Sequence, residues 1–93
     1  MRAEDRPHVA RAVWDEFCKL SGESRDMTCA EGYVLSKWLN PVYDSEGRMI
    51  RDAIPLPVIL RAFGEFAGRP RRLGAMEGPV NRAFAYYRQA MAL

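Results

Sequence analysis

Apolar residues recur every three or four positions through most of this chain, the spacing of helices that bury one side. Val9, Val13, Phe17 and Leu20 follow that rhythm and Ala10 and Trp14 widen the stripe, so a first helix is expected from about Asp5 to Leu20. Asp5 is a suitable N-cap, Pro7 is tolerated in the first turn, and Ser21-Gly22 supplies the stop. Thr28-Cys29-Ala30-Glu31 has the capping-box pattern and predicts a second helix starting at Thr28. Ala30, Val34, Leu35 and Trp38 form its face and Pro41 ends it by Asn40, while Gly32 leaves Tyr33-Val34-Leu35 open to a short-strand reading.

Between these helices and the next, Asp44-Ser45-Glu46-Gly47 is turn chemistry. Arg48 to Ile54 is expected as a short helix with Met49, Ile50 and Ala53 inward; the alternative is one arm of a hairpin with Val42-Tyr43. Ile54-Pro55-Leu56-Pro57 leads, extended, into a third helix that should run to about Ala67 on the stripe Val58, Ile59, Ala62, Phe63 and Phe66, with Gly68 and Pro70 as its stop. In the connector from Gly68 to Gly78, Leu73 and Met76 are the expected anchors to the core. Pro79 starts the last helix, whose stripe is Val80, Phe84, Tyr87 and Met91; Arg82, Tyr86 and Arg88 fall off it and should face water or a partner. Together these elements predict an all-α fold, a compact bundle of four to five short helices forming one domain over residues 1–93.

Composition narrows the class. At 48% hydrophobic and 28% charged the chain is ordinary globular material. No apolar run approaches the ~18 residues of a membrane span, so no membrane partner is expected. Met1 to Arg6 has mixed charge and no apolar core, which argues against a signal peptide. Cys18 and Cys29 are too few for a disulfide framework and read as reduced, mostly buried thiols, which suits a cytoplasmic location. The many aromatics and methionines on so short a chain make a homodimer plausible.

Reagents for catalysis are scarce. His8 is the one histidine and falls in the first turn of the first helix; with two cysteines it does not complete a zinc site. Gly68, Gly74 and Gly78 lack the pattern and the lysine of a phosphate loop, the serines have no nucleophile-elbow context, and Asp44-x-Glu46 with Asp52 has the wrong spacing for calcium. The expectation is a protein with no catalytic residues, no metal and no cofactor.

Charge is more informative. Residues 1–46 hold six Lys/Arg against nine Asp/Glu, whereas residues 47–93 hold eight arginines, no lysine and three acids. Arg69, Arg71 and Arg72 crowd into the connector, close to the start of the last helix, where free N–H groups favour an anion. Arg61 on the third helix and Arg82 and Arg88 on the fourth extend this set into one expected patch, and Tyr86 offers a ring on which a base can stack. The competing reading makes these arginines a solvated face, or partners of Asp15, Glu16 and Glu31 in the acidic half.

Two functions fit. The first is a small binding module that engages nucleic acid or a nucleoprotein complex by phosphate neutralisation. The second is a protein-interaction or inhibitor module of the kind phages and mobile elements encode, which meets an acidic or basic partner through its charged faces. Exposure of Tyr33 or Trp38 would favour the second, because large aromatics anchor protein interfaces.

The residues from Ile54 onward have a further pattern. A Trp-bearing helix (Leu35-Ser36-Lys37-Trp38-Leu39) precedes Val58-Ile59-Leu60-Arg61-Ala62-Phe63; then the connector Arg71-Arg72-Leu73 and the phrase Ala75-Met76-Glu77-Gly78 lead into the last helix. This resembles the C-terminal helical domain of DnaD-type replication-initiation proteins. The resemblance implies an all-helical fold that binds DNA and assists helicase loading in a primosome. Where that family carries a Tyr, an Ile and a Trp spaced four apart, this chain has Ala75, Pro79 and Ala83.

Overall fold

A computed structural model describes residues 5–92; most of the Met1–Arg6 stretch discussed above lies outside them. The order is α1 (Arg6–Ser21), α2 (Cys29–Leu39), β1 (Val42–Tyr43), β2 (Met49–Arg51), α3 (Leu56–Gly64), a 3-10 turn (Leu73–Met76) and α4 (Glu77–Ala92). The fold is mostly helical rather than all-α, because the two short strands pair.

α1 forms on the expected stripe and buries Val13, Trp14 and Phe17. Its start differs from expectation: Asp5 is itself in the α region and its side chain caps nothing. Its end is Gly22, at φ +81°, whose N–H closes on the Cys18 carbonyl. A Cβ there would sit 3.2 Å from Nη1 of Arg69. Gly22→Ala is therefore expected to cost about 1–2 kcal/mol for the left-handed conformation alone, read as a lower midpoint in thermal denaturation.

α2 begins with the expected capping box: the Thr28 hydroxyl accepts from the Glu31 N–H and the Glu31 carboxylate accepts from the Thr28 N–H. Gly32 does not break it, so the strand reading of 33–35 is excluded. Trp38 is buried, whereas Tyr33 is 68% exposed. Cys29, expected inside, is exposed at the first helical position, and Cys18 is half-buried.

The short helix expected at 48–54 is instead a hairpin. Asp44 explains why: its carboxylate accepts from the N–H groups of Glu46 and Arg48, both at 2.9 Å, and Gly47 supplies φ +82°. The strands pair antiparallel, Val42 with Arg51 and Tyr43 with Met49, across a bulge. Met49 and Ile50 thus point to solvent rather than into the core.

α3 lies at the centre, packed against both α1 and α4. Phe63 meets Phe17 and Trp38 edge-on, with ring centroids at 6.3 and 6.2 Å. The helix stops at Gly64, three residues short of expectation, leaving Phe66 half-buried beyond it. Leu73 and Met76 are fully buried, as their role as anchors requires. α4 starts at Glu77, two residues earlier than Pro79, which its first turn accommodates. Its stripe is buried only at Val80 and Phe84; Tyr87 is 39% and Met91 70% exposed, because the helix runs past the body it packs on.

Candidate functional site: a clamped arginine connector

The sequence between α3 and α4 holds little regular structure, so its shape must come from contacts elsewhere. Those contacts converge on Glu31. Its side chain is 3% exposed, the one buried charged group among the described residues. The Arg25 guanidinium grips it with both terminal nitrogens, Nη1 to Oε1 at 2.7 Å and Nη2 to Oε2 at 2.8 Å. The Thr28 N–H and hydroxyl donate to Oε1 at 3.2 and 3.0 Å. The Leu73 N–H donates to Oε2 at 2.9 Å across 42 residues.

Five donors saturate this carboxylate. The Arg25 hydrogen bonds do most to hold its pKa down to about 2 from an ordinary 4.5; burial pushes the other way and is outweighed with the help of Leu73 and Thr28. The same pair raises the Arg25 pKa. A group so low and so fully engaged has no proton to trade, which makes Glu31 a fastener rather than an acid or base.

Arg25 extends the clamp. Its Nη2 also donates to the Arg71 carbonyl at 3.1 Å, and its guanidinium lies over the Trp14 ring, 5.1 Å from the centroid. Trp14 in turn donates its indole N–H to the Arg25 carbonyl at 3.0 Å. The connector is thus held at two successive points, Arg71 by its carbonyl and Leu73 by its N–H, while Pro70 and Leu73 are buried.

The seven residues expected to form one patch occupy three places. Arg69, Arg71 and Arg72 are exposed on the connector. Arg69 lies against Gly22 at the C-terminal end of α1, where the helix dipole favours a cation. The side chains of Arg71 and Arg72 make no hydrogen bond or ion pair among the described residues. Arg61, Arg82 and Tyr86 line a groove between α3 and α4, and Arg61 there pairs with Glu65 at 3.1 Å. Arg88 is on another side of α4, over the Phe84 ring at 5.6 Å and close enough to Arg51 to help lower that residue's pKa, a shift caused first by burial.

Asp15, Glu16 and Glu31, the acids expected as alternative partners, do not pair with the connector arginines. Asp15 pairs with Arg11 at 3.7 Å and Glu16 with Lys19 at 3.1 Å, both within α1, and Glu31 is spent on Arg25 and backbone N–H groups. Arg25 carries no periodic signal in the sequence, because it sits in the irregular segment between α1 and α2. Glu31 did carry a signal, the capping box, but a capping box does not announce a second partner 42 residues away.

Among the described residues no group of His, Cys, Asp or Glu side chains is placed to hold a metal ion, and no helix is long and apolar enough to cross a membrane. Comparison with known protein families, curated proteins and solved structures finds no match to this chain.

Proposed function

We propose that this protein is a non-catalytic cytoplasmic binding module that engages nucleic acid, alone or within a nucleoprotein complex, through Arg69, Arg71 and Arg72. One observation carries the reading: the backbone of the connector is fixed by Glu31 and Arg25 while the guanidinium groups of Arg71 and Arg72 project without counter-ions among the described residues. Fixing the backbone in advance lowers the ordering cost of binding. The surroundings favour phosphate over a protein surface, since the apolar residues of the connector, Pro70, Leu73 and Met76, are turned inward. The resemblance to DnaD-type proteins, which includes Arg71-Arg72-Leu73, supports the same reading.

Such contacts neutralise phosphates with little base readout, so affinity should fall steeply with salt. Fluorescence anisotropy with labelled single- and double-stranded oligonucleotides between 50 and 200 mM salt tests this. The Arg71→Ala/Arg72→Ala variant should bind more weakly and lower the log–log salt slope by about 1.5–2. Affinity indifferent to salt would overturn the reading.

A second reading, a protein-interaction module, is favoured by the exposure of Tyr33, with Tyr43, Met49 and Ile50 exposed on and beside the hairpin and Tyr86 and Met91 on α4.

A further inference from the structure

The groove between α3 and α4 is separate from the clamp and from the connector arginines. It encloses about 950 Å³, and its walls are mainly apolar, with Val58 and Phe66 on one side and Ala83, Tyr87 and Ala90 on the other. Arg61, Arg82 and Glu65 also line it. Glu65 is the one carboxylate there and Arg61 already holds it at 3.1 Å, so Arg82 is the charge with no counter-ion among the described residues. Described parts of the chain do not cover α4 alongside: every residue from Ala85 to Ala92 is exposed, Tyr86 at 75%. A trough between two helices has the shape that accepts a third helix.

We propose that this groove receives an amphipathic helix of a protein partner, with Asp or Glu flanking its apolar stripe, Tyr86 as the aromatic anchor and Arg82 as the charge contact. The proposal rests on the protein-interaction reading and is independent of nucleic-acid binding at the connector. Charge complementarity selects the acidic flank, since an incoming lysine would meet Arg82 unshielded while a carboxylate would pair with it.

A second copy of this chain does not meet the description. α1, α2 and α3 have their apolar stripes in the core, through Val13 and Phe17, Leu35 and Trp38, and Ile59 and Phe63. α4 has apolar surface to spare, but its one carboxylate is Glu77, which Lys37 already holds at 3.3 Å. A second α4 would therefore bring Arg82 no free carboxylate. Nor do the walls suit a nucleic-acid strand, which needs several free cations where the groove offers Arg82.

The test is a yeast-displayed library of helical peptides of about 16 residues, with leucine fixed at i, i+4, i+7 and i+11 and the flanks drawn from Glu, Lys, Gln and Ser. It is sorted against the intact protein, and the best binder is then measured as a fluorescent peptide. Glu should be enriched in the flanks. Tyr86→Ala should weaken the selected peptide tenfold or more, Arg82→Glu should reverse the preference toward Lys, and Arg71→Ala/Arg72→Ala should leave it unchanged. Tyr86 and Arg82 are exposed, so their variants should fold, and circular dichroism melts are the check. The proposal is overturned by a sort that yields no binder, by Lys-flanked binders, or by binders indifferent to both groove substitutions. It is equally overturned by a dimer in light scattering that those substitutions dissolve, or by oligonucleotide binding that depends on Arg82 rather than Arg71 and Arg72.

Discussion

Glu31→Gln is expected to lower stability at pH 7 by about 3 kcal/mol, the lower end of what breaking a buried ion pair costs. The lower end applies because Arg25 keeps 31% of its side chain exposed and can recover part of its hydration. The amide oxygen of glutamine can still accept from Leu73 or Thr28, yet it removes the charge that five donors converge upon. The pH dependence follows from the direction of the shift. A carboxyl held at about 2 in the fold, against 4.5 ordinarily, stabilises fully above about pH 4.5 and loses that contribution as pH falls toward 2. Urea denaturation followed by tryptophan fluorescence at pH 7, 4 and 3 should therefore show the wild type converging on the variant as the solution is acidified. Parallel curves at all three values would contradict the clamp.

The second large effect is expected at Trp38. Its ring is buried between α2 and α3, 6.2 Å from Phe63, and its carbonyl accepts the Ile54 N–H at 2.8 Å, which turns the chain from the hairpin into α3. Trp38→Ala should cost about 3–5 kcal/mol through lost transfer energy and the cavity left beside Phe63. A small domain has little more than that to lose, so Trp38→Phe is the companion measurement; it keeps an aromatic edge against Phe63 and should lower the denaturation midpoint by less. A midpoint unchanged in both variants would place the core elsewhere.

Local signals in the sequence account for most of the helices. The stripe Val9, Val13, Phe17 marks α1, and Thr28 with Glu31 marks the start of α2, because periodicity and capping act within a few residues and need no knowledge of the rest of the fold. The hairpin is hard to read for a related reason: Met49, Ile50 and Ala53 have a spacing that suits a short helix, whereas the deciding interactions are two hydrogen bonds to the Asp44 side chain. Tyr87 and Met91 fit the α4 stripe in sequence, but a stripe states which face is apolar, not how far along the helix a neighbour reaches. The candidate site divides the same way. The three connector arginines and Tyr86 were visible as residue types in sequence. Their separation into a connector and a groove was not, since it depends on how α3 packs on α4.

The tie between Glu31 and the Leu73 N–H joins the acidic half of the chain to the arginine-rich half. The connector is therefore held in this shape only while both halves are folded together. A polyanion bound at the connector as proposed would stabilise α2 as well as the loop it touches, and loosening the start of α2 would weaken its binding by the same free energy.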